Sequence, residues 1–215
     1  MNNRLIRVQG RGKATQTPDR IILKFDISQI EKEFTDAVKG CNERVEGIRY
    51  AVASVGLDPK TLKTTSFQVD KTYEYVKDQK IHTGYEANHR TCIEFDLDKT
   101  LVARLMNSIT IGGYKPKLST AFTIHDPEAL RCKVLENAVR NASLRAETIA
   151  RSANLRLGAI QLMEHDAIGI PSSTTSYREE QNLFQMDKHS EPEWTIEPED
   201  LVAEAAVLVA WDLCA

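Results

Sequence analysis

The sequence predicts an α+β fold: antiparallel sheets packed against two long helices. Two apolar stripes with three- and four-residue steps, over 31–55 and 127–154, predict the helices. Stretches alternating apolar and polar side chains, before and after each stripe, predict the strands. The order strand, helix, strand, strand occurs twice, with Phe25 to Gly56 spanning 31 positions and Phe122 to Asn154 spanning 32. Two similar β-α-β-β units are therefore expected at about 19–97 and 117–214, inside a single domain over 1–215, with a short linking helix at about 99–109.

The chain opens with VQGRGKATQTPDRIIL, Val8 to Leu23, where Gly10 and Gly12 stand two apart after a short apolar run. A dinucleotide cradle needs a third glycine that opens a helix, and a Walker loop needs Gly-Lys-Ser/Thr. Here the third position is Thr15, Lys13 is followed by Ala14, and Ile21, Leu23, Phe25 and Ile27 alternate as in a strand. Gly10 and Gly12 are thus expected to let the chain twist or bulge between two strands, with Pro18-Asp19 as the turn into the second.

The first helix carries Phe34, Ala37, Val38, Cys41, Val45, Ile48, Val52 and Val55 on its stripe, and Asp58-Pro59 stops it. LKTTSFQVDKTYEYV and KIHTGYEANHRTCIEFDL, linked by KDQK, read as a hairpin. The short linking helix ends at Gly112-Gly113. KLSTAFTIHD alternates as a strand, and Asp126-Pro127 supplies a cap and first turn for the second long helix. That helix, about 40 Å long at 1.5 Å per residue, carries Leu130, Val134, Ala138, Ala142, Ala146, Ile149 and Ala153; its alanines permit a close approach. GAIQLMEHD and DLVAEAAVLVAWDL are the last strands. Between them, Gly169 to Pro198 reads either as a mobile hairpin loop or as an arm that orders against another subunit, with Leu183, Phe184 and Trp194 as candidate interface anchors.

Composition excludes several classes. A net charge of −3 with no basic run argues against nucleic acid. No apolar run approaches the roughly 20 residues of a membrane span. The start MNNRLIRVQG lacks an apolar leader, which fits a cytoplasmic protein as the sequence stands, or a periplasmic or envelope one from which a leader was removed. Cys41, Cys92, Cys132 and Cys214 make no C-x-x-C pair, so neither a disulfide framework nor a zinc site is expected. Cys41 lies on the helix stripe, and Cys92, between Thr91 and Ile93, reads as a small buried side chain.

The five histidines are scattered. His82 and His89 differ by an odd number and would face opposite sides of one straight strand, as would neighbours in Glu164-His165-Asp166. No metal site is expected, and without a Gly-x-Ser-x-Gly elbow no catalytic or cofactor-binding residue is assigned. Tyr73, Tyr75 and Tyr85 form an aromatic strip on the hairpin, readable as cross-strand packing or as a ligand platform.

Taken in order, these motifs resemble the SIMPL-domain family, a domain of unknown function, from about Leu5 to Leu213. The resemblance rests on Gly10, Gly12, Pro18 and Asp19 before an alternating strand, and on Gly84, Tyr85, Ala87 and Asn88 in the hairpin. It extends to Ala138, Ala142, Ala146 and Ala150 followed by Leu157-Gly158, and to Ile196 and Pro198, with Glu199 where the family has glycine. The resemblance implies a bacterial protein, often exported to the periplasm or envelope, in some members ring-like and homo-oligomeric, and in some linked to oxidative stress. It defines no catalytic residues. The expectation is a non-enzymatic, self-associating or partner-binding protein without a cofactor; a small-molecule binding module and an enzyme of unrecognised type are the alternatives.

Overall fold

A computed structural model describes residues 4–76, 79–165, 173–175 and 197–214. In chain order the elements are β1 (Leu5–Gln16), β2 (Arg20–Glu31), α1 (Phe34–Ser54), β3 (Lys63–Val76), β4 (Gln79–Asp96) and α2 (Lys99–Ile111). They continue with β5 (Lys117–Thr123), α3 (Pro127–Ser152), β6 (Arg156–His165), β7 (Ser173–Thr175) and β8 (Leu201–Cys214). Antiparallel sheets with packed helices make this an α+β protein. The chain divides into two compact units, one of 19–122 with 174–197, the other of 1–18, 123–173 and 198–215.

In the first unit the strand order is β3-β4-β2-β5-β7. β2 and β4 pair antiparallel from Arg20 opposite Asp96 to Glu31 opposite Tyr85. Period-two alternation in β2 sends Ile21, Leu23, Phe25 and Ile27 into the core, against Ala37, Cys41, Val45, Ile48 and Val52 of α1. Val102, Leu105 and Ile109 of α2 complete this core. α1 begins at Phe34 rather than at 31 because β2 keeps its pairing through Glu31. Its N-cap, Glu33, makes no side-chain cap bond, so burial of the stripe holds the helix. α2 is capped in full: the Asp98 carboxylate accepts from the Thr100 and Leu101 amides at 2.9 and 3.2 Å.

In the second unit the order is β1-β8-β6, with α3 on one face. The Asp126 carboxylate accepts from the Ala129 amide at 2.9 Å, Pro127 follows, and α3 then runs unbroken for 26 residues. Ala138, Ala142 and Ala146 pack on Ile6, Val8, Val207, Val209 and Trp211, while Leu130 and Val134 meet Ala14, Ile124 and Ala203.

Gly10 and Gly12 lie beneath this helix. A Cβ on Gly10 would overlap the Ala138 carbonyl oxygen and come within 2.6 Å of Ala142; one on Gly12 would overlap the Val134 carbonyl oxygen. Helix backbone therefore rests on strand backbone, a separation that only glycine on the strand permits. The expected bulge is absent: Gly10 pairs with Val207 and Gly12 with Ala205 in unbroken register inside one strand. The glycines serve helix approach rather than strand bending. Pro18 and Asp19 fall in the connection between β1 and β2, where the Asp19 carbonyl accepts from the Leu97 amide at 2.8 Å.

The seam also protects a sheet edge. Among the described residues β1 has one neighbour, β8, so alternate backbone groups along its other side point away from that strand. Asn137, Asn141 and Arg145 recur at four-residue steps on α3 and meet three of these groups. Asn137 Nδ2 donates to the Lys13 carbonyl at 3.0 Å, the Arg11 amide donates to Asn141 Oδ1 at 3.1 Å, and Arg145 Nη1 donates to the Gln9 carbonyl at 2.9 Å.

Strand membership departs from the expected repeat. The 117–214 unit was to begin with β5, but β5 stands beside β2 in the five-stranded sheet and Phe122 is buried in that core. β1 takes the place beside β8. Gly10 and Gly12 give β1 the close seat under α3, whereas Phe122 of β5 fills part of the larger core of the other sheet.

Candidate binding surface

β3 and β4 are longer than the sheet they belong to. β2 accompanies β4 only as far as Tyr85, so among the described residues β4 from Gln79 to Gly84 has β3 alone as its neighbour. At the point of departure the register shifts: Thr72 opposes Gly84, Tyr73 opposes His82, and Thr83 is left as the extra residue. Gly84 is required there because a Cβ would overlap the Glu31 carbonyl oxygen at the end of β2.

The shift changes which side chains meet. On a straight strand His82 and His89 would face opposite ways, but the extra residue brings His82 onto the side of Tyr85. Their ring centroids lie 5.0 Å apart, and Tyr73 stands 5.7 Å from His82 on the other flank. Phe34, at the start of α1, meets Tyr85 edge-on at 5.7 Å. Lys80 Nζ sits 4.0 Å above the Tyr73 ring, a cation–π contact. The result is a continuous strip, Tyr73–His82–Tyr85–Phe34. Tyr73 is 42% exposed, Phe34 50% and Tyr75, on the same side as Tyr73, 74%. Beyond Phe34 the surface continues as a shallow cleft of about 570 Å³ on the outer side of α1, lined by Phe34, Val38, Asn42 and Glu46 among others.

Of the residues that sequence reasoning selected, Tyr73, Tyr75, Gly84 and Tyr85 come together here. Gly10, Gly12 and Pro18 belong to the second unit. Leu183, Phe184 and Trp194 lie outside the described residues. Phe34, His82 and Lys80 were not selected. Phe34 was counted as a core residue of the helix stripe; half its surface is open. Gly84 was the available signal for His82, since a glycine inside a strand pattern marks a bulge and a bulge reverses facing.

Among the described residues two titrating groups are shifted, Cys41 and His89. Cys41 is fully buried and its thiol donates to the Ile27 carbonyl at 3.6 Å; burial pushes its pKa up, keeping it a thiol. His89 Nε2 shares a 2.8 Å hydrogen bond with Thr64 Oγ1, and the ring stands edge-on to Phe67 at 5.1 Å. Burial first, and the Arg49 charge second, lower its pKa and favour the neutral ring. Thr91 and Ile93 are buried, while Cys92 between them, on the opposite side of β4, is only half-buried. Cys132 and Cys214 are exposed. Among the described residues no three His, Cys, Asp or Glu side chains gather as metal ligands, and no helix is long and apolar enough to cross a membrane.

Comparison with known proteins places these features in a family. The model of SIMPL, described as a protein of unknown function (DUF541), matches residues 6–211. An uncharacterized protein YggE of Edwardsiella ictaluri (strain 93-146) is 27% identical over 157 residues, 70% of this chain and 63% of its own length. A 26 kDa periplasmic immunogenic protein of Brucella melitensis is 24% identical over 160 residues, 72% of this chain and 64% of its own. An uncharacterized protein YggE of Escherichia coli (strain K12) is 22% identical over 216 residues, 91% of this chain and 84% of its own. The match thus spans just under two thirds of the Edwardsiella and Brucella proteins. Covered from β1 to β8 by its family model, this chain belongs to the SIMPL family.

Proposed function

We propose that this protein is a non-enzymatic, self-associating protein of the cell envelope or of oxidative-stress physiology, and that the Tyr73–His82–Tyr85–Phe34 strip is its contact surface. One observation carries the reading: a two-stranded ribbon leaves the sheet with its aromatic side chains uncovered. Two strands alone are marginally stable in water, and contiguous exposed aromatics are typical of surfaces that another protein covers. Tyrosine suits such a contact, since its ring buries area while its hydroxyl stays hydrogen-bonded.

The envelope setting draws on the relative named as a periplasmic protein. A photo-crosslinking side chain in place of Tyr75 tests the contact. Irradiation is expected to join two copies of the chain through the ribbon. Adducts with a different protein in cells would shift the reading from self-association to partner binding, and the absence of any adduct at tens of micromolar would contradict it.

A further inference from the structure

The edge of β1 carries a second feature, independent of the aromatic strip and in the other unit. Along it runs an open groove of about 710 Å³, lined by Arg7, Val8, Gln9, Arg11, Asn141, Arg145 and Ile149. Three of these are arginines and none is acidic, in a chain whose net charge is −3. Among the described residues Arg7 and Arg11 make no ion pair, whereas Lys13, next along the same side of the strand, is matched by Glu204 at 3.1 Å. Arg145 uses Nη1 on the Gln9 carbonyl, which leaves the rest of its five-donor fork uncommitted to that bond.

We infer that this groove binds a phosphate-bearing anion. Arg7 and Arg11 are four residues apart on one strand, about 13 Å at 3.3 Å per residue. They alternate with the buried residues that face α3, so their long side chains start on the other side of the sheet and reach the groove around its open edge. Arg145 and Asn141 approach from α3 on the other bank, one helical turn apart. Guanidinium forks match carboxylate and phosphate alike. Charge separates the two: a single carboxylate leaves two of three guanidiniums unneutralised, whereas near pH 7 a phosphate monoester carries about 1.5 to 2 negative charges on one compact group, and a polyphosphate more. Gly10 and Gly12 act at one remove, since the low seat of α3 they permit is what lets Asn141 and Arg145 bond to the strand edge.

The ligand could be a soluble phosphate or a lipid headgroup, and the test separates them. Sodium tripolyphosphate is titrated calorimetrically into the whole chain, and sedimentation is followed with phosphatidylcholine vesicles with and without phosphatidic acid, whose headgroup is a phosphate monoester. Wild-type protein is expected to bind one of these probes saturably. Arg7→Gln/Arg11→Gln is expected to weaken that binding at least tenfold, about what the loss of one charge-assisted contact costs. Both side chains are exposed, so the variant should melt like wild type; Arg145→Lys, which keeps the charge and loses the fork, should weaken binding less than the double change. Saturable binding to tripolyphosphate alone assigns a soluble phosphate, and binding to anionic vesicles assigns a headgroup. Failure to bind either probe overturns the inference, as does equal weakening by the control Lys99→Gln/Arg104→Gln in α2.

Discussion

The carbonyl oxygen of Ala138 in α3 occupies the space that a Cβ on Gly10 in β1 would fill. Two residues 128 positions apart thereby fix how deeply the long helix sits on the three-stranded sheet. The alanines on one element and the glycines on the other are halves of one packing solution, because neither alone brings the two backbones together.

Gly10→Ala or Gly12→Ala should therefore destabilise the protein by about 2–3 kcal/mol, since the clash is with backbone and cannot be relieved by a rotamer. Gly40→Ala is the contrast. Its Cβ would meet only the flexible Gln29 side chain, at 3.0 Å, in the interior of α1. Helix propensity there gains up to about 1 kcal/mol, so the change should be neutral or stabilising. Urea unfolding of the three variants measures both outcomes.

How far the sequence reveals this arrangement depends on the range of the interaction. Helix α3 is readable because its signals are local: Asp126-Pro127 at the start and a four-residue alanine rhythm within. The spacing of Gly10 and Gly12 places both on one side of a strand, but nothing local says that α3 covers that side. The same limit explains β5, whose alternation is visible while its neighbour is chosen by the core that accommodates Phe122. His82 was misplaced for a subtler reason: one extra residue at Thr83 reverses facing for everything beyond it, and periodicity read along a single strand has no access to the opposing register.

Stability should depend on pH through His89. Its pKa is lowered in the folded protein from an ordinary value of 6.5, so the unfolded chain binds the proton more readily. The stabilisation is present above about pH 6.5 and is lost as pH falls from there through the folded-state value. Melting temperature against pH should show this acid limb, and His89→Gln should flatten it.

Cys41 gives the opposite limb. Its folded pKa is raised above 9.0, so the associated stability is complete below that pH and is lost as pH rises past it. Thiol labelling offers a direct check. Cys132 and Cys214, both exposed, should react within the mixing burst at pH 8, while Cys41 should react only at the rate of unfolding.

The edge guard on β1 predicts a change in solubility larger than the change in stability. Asn137→Ala/Asn141→Ala removes two side-chain partners of the Lys13 carbonyl and the Arg11 amide, a loss of about 1 kcal/mol each. The bared edge can then pair with another chain. Turbidity on mild heating should rise well below the melting temperature of the variant, and wild type under the same heating should stay clear.

Self-association through the aromatic ribbon is tested most directly by solution mass. Light scattering behind size exclusion, at tens of micromolar, should give wild-type protein a mass that is a multiple of 24.2 kDa, and Tyr73→Ser/Tyr75→Ser the monomer mass with an unchanged circular dichroism spectrum. A wild-type chain that elutes as a 24.2 kDa monomer, or a double variant that keeps the wild-type mass, would contradict the account.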